Sequence, residues 1–101
     1  MLDLTDLPGE TMVRAGLLDL AGGRITPEAL VLCAARTRLR TLGIDLPEPP
    51  AGAIAHDHAE IALYEALGAR GVDDPYARYN AMLRELTSFL EAAEGRRRRA
   101  A

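Results

Sequence analysis

At 101 residues and 10.9 kDa the chain has room for one hydrophobic core, not two. With 49% apolar residues it has the means to fold, and no run of about 18 apolar residues exists to cross a membrane. Its single cysteine, Cys33, excludes a disulfide scaffold or a cysteine-rich zinc knuckle, and the absence of lysine excludes Schiff-base chemistry and a lysine phosphate cradle.

All twelve basic residues are arginine, and four form one run, Arg96–Arg99. Residues 1–95 then carry eight arginines against all fifteen acids, so an acidic body of net charge −7 ends in a basic tail. The aromatic content is 4%, from Tyr64, Tyr76, Tyr79 and Phe89, which leaves the core to leucine and alanine. Those residues are good helix formers, and the expected class is all-α.

Residues 1–9 place Leu2, Leu4 and Leu7 before Pro8-Gly9, too short a stretch for a hairpin, and are expected to lie as an extended arm on the core. The acids Asp3 and Asp6 stand where a secretory leader carries positive charge, which favours a cytoplasmic chain. From Glu10 the period is helical. Val13, Leu17 and Leu20 recur at i, i+4 and i+7, Met12 and Gly16 take the adjoining row, and Gly22-Gly23 closes a first helix over Glu10–Ala21.

Thr26-Pro27-Glu28 supplies a hydroxyl cap, a proline at the first helical position and a carboxylate at the positive dipole end. A second helix is predicted from there to Leu42, with Val31, Leu32, Ala35, Leu39 and Leu42 inward, Leu30 and Ala34 widening the arc, and Gly43 as its left-handed stop. Pro47, Pro49, Pro50 and Gly52 make residues 44–55 an extended connection that packs through Ile44, Leu46 and Ile54.

A third helix is predicted over Asp57–Leu67, with Leu63, Tyr64 and Leu67 inward and Gly68 as stop. Asp74-Pro75 repeats the acidic cap and proline start. In the fourth helix Tyr79, Leu83, Leu86, Leu90 and Ala93 hold one face, broadened by Tyr76, Met82 and Phe89. It is expected to end near Glu94, before Gly95. Residues 96–101 then form a basic, disordered tail behind a single helical domain of residues 1–95. Four one-sided helices must shelter one another, so the expected architecture is a small four-helix bundle made of two antiparallel hairpins joined by the proline-rich connection.

Three groups of residues are candidates for chemistry. His56, His58 and Glu60 are metal-ligand types, but His56 and Glu60 share a helical face while His58 points about 200° away. Asp57 and Glu60 also have the spacing of a capping box, which explains them without a metal. No cofactor is expected. Tyr76, Tyr79 and Asn80 are the densest polar-aromatic group and the expected partner contact, with Asn80 placed to bond a neighbouring loop. The arginines Arg96, Arg97, Arg98 and Arg99 suit phosphates or an acidic surface. Cys33 lies beside the core arc, and Ser88, the single serine, sits within the fourth helix with no elbow motif around it.

The broad apolar arcs on the second and fourth predicted helices exceed what two packed layers require, leaving surface for a partner. The expected function is therefore a non-catalytic protein-protein interaction or regulatory module, acting on another protein or on itself as a homodimer. The alternatives are an accessory nucleic-acid binder using the arginine tail and a small metal-binding protein at His56, His58 and Glu60.

Overall fold

A computed structural model describes residues 4–54 and 58–100, with the backbone alone for Ala100. Among these residues the chain is all-helical, with no strands. In chain order the elements are α1 (Glu10–Ala21), α2 (Pro27–Ala34), α3 (Arg36–Thr41), α4 (Ala59–Ala69) and α5 (Pro75–Ala100). The core is wholly apolar: among the described residues no polar or charged side chain is buried.

The N-terminal arm covers the core as expected, with Leu4 and Leu7 buried, but it is a succession of turns and not an extended strand. The Leu7 N–H donates to the Leu4 carbonyl at 3.2 Å and the Glu10 N–H to the Leu7 carbonyl at 3.1 Å. Gly9 then starts α1 at φ +78°, without a side-chain cap. A β-carbon at Gly9 would stand 3.1 Å from the Glu85 carbonyl oxygen and 3.3 Å from the Phe89 β-carbon. Both the backbone conformation and the closeness of α5 therefore require glycine here.

Thr26 caps α2 as the sequence predicts. Its hydroxyl accepts the Ala29 N–H at 3.2 Å and donates to an Asp19 carboxylate oxygen at 2.6 Å, tying the last turn of α1 to the first turn of α2. That hydrogen bond holds the Asp19 carboxyl below its ordinary range, helped by Arg24, whose Nε lies 3.2 Å away. A carboxyl whose folded pKa is lowered adds stability above its unfolded pKa and loses it as the pH falls through the folded value. Asp19→Asn is accordingly expected to destabilise at neutral pH, with the gap to the wild type closing in acid. Urea unfolding at a series of pH values measures that gap.

α2 is the centre of the fold. Pro27, Ala29, Leu30, Val31 and Leu32 are all buried, so the helix is covered on nearly every side, and it packs against α1, α4 and α5. The wide apolar arc expected to serve a partner is, for this helix, consumed within the chain.

The predicted second helix is broken. Ala35 takes φ −116° and ψ 23°, closes α2 and opens α3. No breaker stands at this position, since alanine is the best of helix formers, and packing decides the matter. After the break Leu39 and Leu42 enter the core, while Arg36 reaches the Leu46 carbonyl at 3.4 Å and Glu48 at 3.2 Å. Arg38 binds Glu94 with Nη2 at 2.7 Å and Nε at 3.4 Å, joining α3 to α5. Gly43 ends α3 at φ +87°, and the following residues 44–50 have no regular structure, with Ile44 and Leu46 buried as expected.

Two helix ends differ from expectation. α4 runs through Gly68 to Ala69, and the chain turns at Gly71. α5 continues through Gly95 and the arginine run to Ala100, so its expected stop near Glu94 is corrected and the tail is helical up to Ala100. The backbone entropy lost by a mid-helix glycine is a small penalty, about 1 kcal/mol, and arginines at the negative end of the helix dipole offset part of it. Arg96 also donates to the Thr5 carbonyl at 2.9 Å, anchoring the extension to the arm.

Candidate functional site

The feature that stands out at the surface lies where α4 meets the first turns of α5. α4 is apolar on two faces. Leu63 and Leu67 point into the core, and Ile61 and Tyr64, one turn apart, face outward at 47% and 45% exposure. Tyr64 was expected inward; Leu63 and Leu67 hold the core side of α4, and Tyr64 is left at the surface.

The start of α5 is fixed by Asp74, whose side chain accepts the Ala77 N–H at 3.1 Å and whose carbonyl accepts the Arg78 N–H at 3.1 Å. Pro75 follows as the first helical residue. This start sets Tyr76 outward at 65% exposure and leaves Tyr79 half-buried, so Tyr76 does not broaden the core face. Tyr79 meets Tyr64 edge to face, with ring centroids 5.8 Å apart and planes at 83°.

Glu60, Ile61, Tyr64, Glu65, Tyr76 and Tyr79 together line an open groove of about 520 Å³. Three tyrosines supply apolar faces with polar hydroxyls, and two carboxylates supply negative charge. That combination suits a ligand that is flat or aliphatic along its length and cationic at its end, through stacking, cation–π contact and charge-assisted hydrogen bonds.

Of the expected partner contact, Tyr76 and Tyr79 line the groove. Asn80 is turned back on its own helix, donating to the Tyr76 carbonyl at 3.1 Å, and bonds no loop there. Sequence reasoning missed Ile61, Tyr64 and Glu65. The signal was present in the consecutive apolar run Ile61, Ala62, Leu63, Tyr64, which is more than one buried helical stripe can hold.

His58 stands at the N-terminal boundary of α4, exposed and without a capping bond. His56 and Asp57 lie outside the described residues, and with them the capping box and the second imidazole of the expected metal group. Among the described residues no three histidine, cysteine or acidic side chains converge as metal ligands.

Cys33 is half-buried against the core, and burial pushes its thiol pKa up, partly opposed by the Arg36 guanidinium. The thiol is therefore protonated at neutral pH and a poor nucleophile. Alkylation by iodoacetamide is expected to be several-fold slower in the folded protein than in urea. Equal rates would show the side chain to be open.

Arg97, Arg98 and Arg99 are exposed in the last turn of α5. Consecutive residues step by about 100° around a helix, so the run spreads over the helix end instead of forming one basic stripe. No helix among the described residues is long and apolar enough to cross a membrane. Comparison with protein-family models, with curated proteins and with solved structures finds no match to this chain.

Proposed function

We propose that the protein is a non-catalytic interaction module whose docking face is the groove between α4 and the start of α5. The observation that carries this reading is the outward apolar face of α4 beside Tyr76: Ile61, Tyr64 and Tyr76 are large, exposed and adjacent in one groove. Aromatic anchors beside polar groups are the common energetic centre of protein interfaces. The helices behind the groove form, on this reading, a bundle of two antiparallel hairpins, α1–α2 and α4–α5, with α3 as a short bracket, so the groove is displayed on a rigid support.

Nucleic-acid binding through Arg96–Arg99 is a weaker reading. The body opposes it with its negative charge, which repels a polyanion.

Selection from a random peptide display library against the wild type and against a Tyr64→Ser/Tyr76→Ser variant tests the docking face. Both changes are at exposed positions, and circular dichroism checks that the variant keeps its helices. Enriched peptides that bind the wild type and fail on the variant are the expected result. Failure to enrich any peptide, or enrichment indifferent to the two changes, overturns the reading.

A further inference from the structure

The groove has a natural ligand in the chain itself, and we propose that Arg97, Arg98 and Arg99 of one copy dock in the Glu60–Tyr64–Tyr76 groove of a second copy, so that the protein associates head to tail. This inference rests on the groove being a docking face, and it commits that face to one occupant.

The first argument is charge. Five arginines of the first half are already held in ion pairs: Arg14 with Glu10, Arg24 with Asp19, Arg36 with Glu48, Arg38 with Glu94 and Arg40 with Asp45. Arg96 is engaged with the Thr5 carbonyl. Arg70, Arg78 and Arg84 are exposed singly, and only in the last turn of α5 do three exposed arginines, Arg97, Arg98 and Arg99, follow one another. At the other end of the same helix stand Glu60 and Glu65 in the groove, with Asp73 and Asp74 exposed on the adjoining turn, four carboxylates against the two exposed arginines Arg70 and Arg78. Opposite charges on the two ends steer copies into one orientation.

The second argument is chemistry. Guanidinium is planar, weakly hydrated, able to stack on a tyrosine ring and able to grip a carboxylate with two parallel hydrogen bonds. A groove built of three tyrosines and two carboxylates provides both kinds of contact, and this chain's cations are all arginine.

The third argument is length. α5 has 26 residues, about 39 Å at 1.5 Å per residue, and the molecule is 42 Å along its longest axis. The arginine turn cannot fold back to its own groove across that distance, so the contact must be between copies. Because the two surfaces differ, each dimer keeps one unused groove and one unused arginine turn, and association continues to a ring or an open chain.

Sedimentation velocity on the full chain at low and high salt provides the test. The average mass is expected to rise with concentration at low salt, with association weakened roughly tenfold or more at high salt. A tail variant, R97E/R98E/R99E, and the groove variant Tyr64→Ser/Tyr76→Ser each stay monomeric alone. An equimolar mixture of the two forms a 1:1 dimer and nothing larger, because each brings one intact half. Charge reversal in the groove, E60R/E65R, abolishes self-association and restores it in part when combined in one chain with R97E/R98E/R99E. A wild type that is monomeric at every concentration, a tail variant that still associates, or variants that do not combine on mixing overturns the proposal. A monomeric wild type whose groove still takes selected peptides overturns head-to-tail docking alone, whereas loss of both overturns the docking face as well.

Discussion

Phe89→Ala is expected to remove about 3–5 kcal/mol of stability, the largest loss from any single truncation in this core. Phe89 is the only phenylalanine, is fully buried in α5, and its β-carbon lies close under Gly9 at the start of α1. A cavity there cannot collapse easily, because the arm that would have to sink into it is fixed by the α1 start and by Arg96 on Thr5. Domains of this size are stable by roughly 5–15 kcal/mol, so the variant is expected to be partly unfolded near body temperature. Thermal and urea unfolding followed by circular dichroism measure the loss. Leu18→Ala is the matched control: Leu18 is 68% exposed, and its truncation is expected to stay within about 0.5 kcal/mol. Comparable losses for the two would mean that the core is not where the fold places it.

Gly16→Ala carries the second large effect, and its sign is the informative part. In an exposed helix the change gains up to about 1 kcal/mol, since glycine is the costlier residue. At Gly16 the added methyl would stand 2.6 Å from Leu32 Cδ1 and 2.7 Å from the Glu28 carbonyl oxygen. Leu32 is fully buried and Glu28 contributes backbone, so relief requires α1 and α2 to move apart. Overpacking of this kind costs about 1–3 kcal/mol, occasionally more, and the expected net result is a loss of about 2 kcal/mol. Adding Leu32→Ala removes one of the two obstructions, so the two changes should be non-additive by at least about 0.5 kcal/mol. A Gly16→Ala protein that unfolds at higher urea than the wild type would contradict the close approach of the two helices.

Much of the local structure is legible along the chain because it depends on neighbours a few residues apart. α1 has the predicted ends, Thr26 and Asp74 cap as their side chains suggest, and Met82, Leu86, Phe89, Leu90 and Ala93 form the buried face of α5. The groove was legible only in part. Tyr76 and Tyr79 drew notice as a polar-aromatic group, but their partners Ile61 and Tyr64 are more than ten residues away and share no motif with them.

Composition and periodicity by themselves determined that this chain is helical, where most helices begin, and which side chains are oily enough to need shelter. Only the tertiary structure decided which oily faces find that shelter. α2 is enclosed by three neighbours and has none to spare, Ala35 breaks a helix that its own propensity favours, and α4 keeps Ile61 and Tyr64 in water. The physical reason is that burial is a relation between segments far apart in the chain. A side chain's hydrophobicity sets what is gained by covering it, and the geometry of the whole molecule sets whether anything arrives to do so.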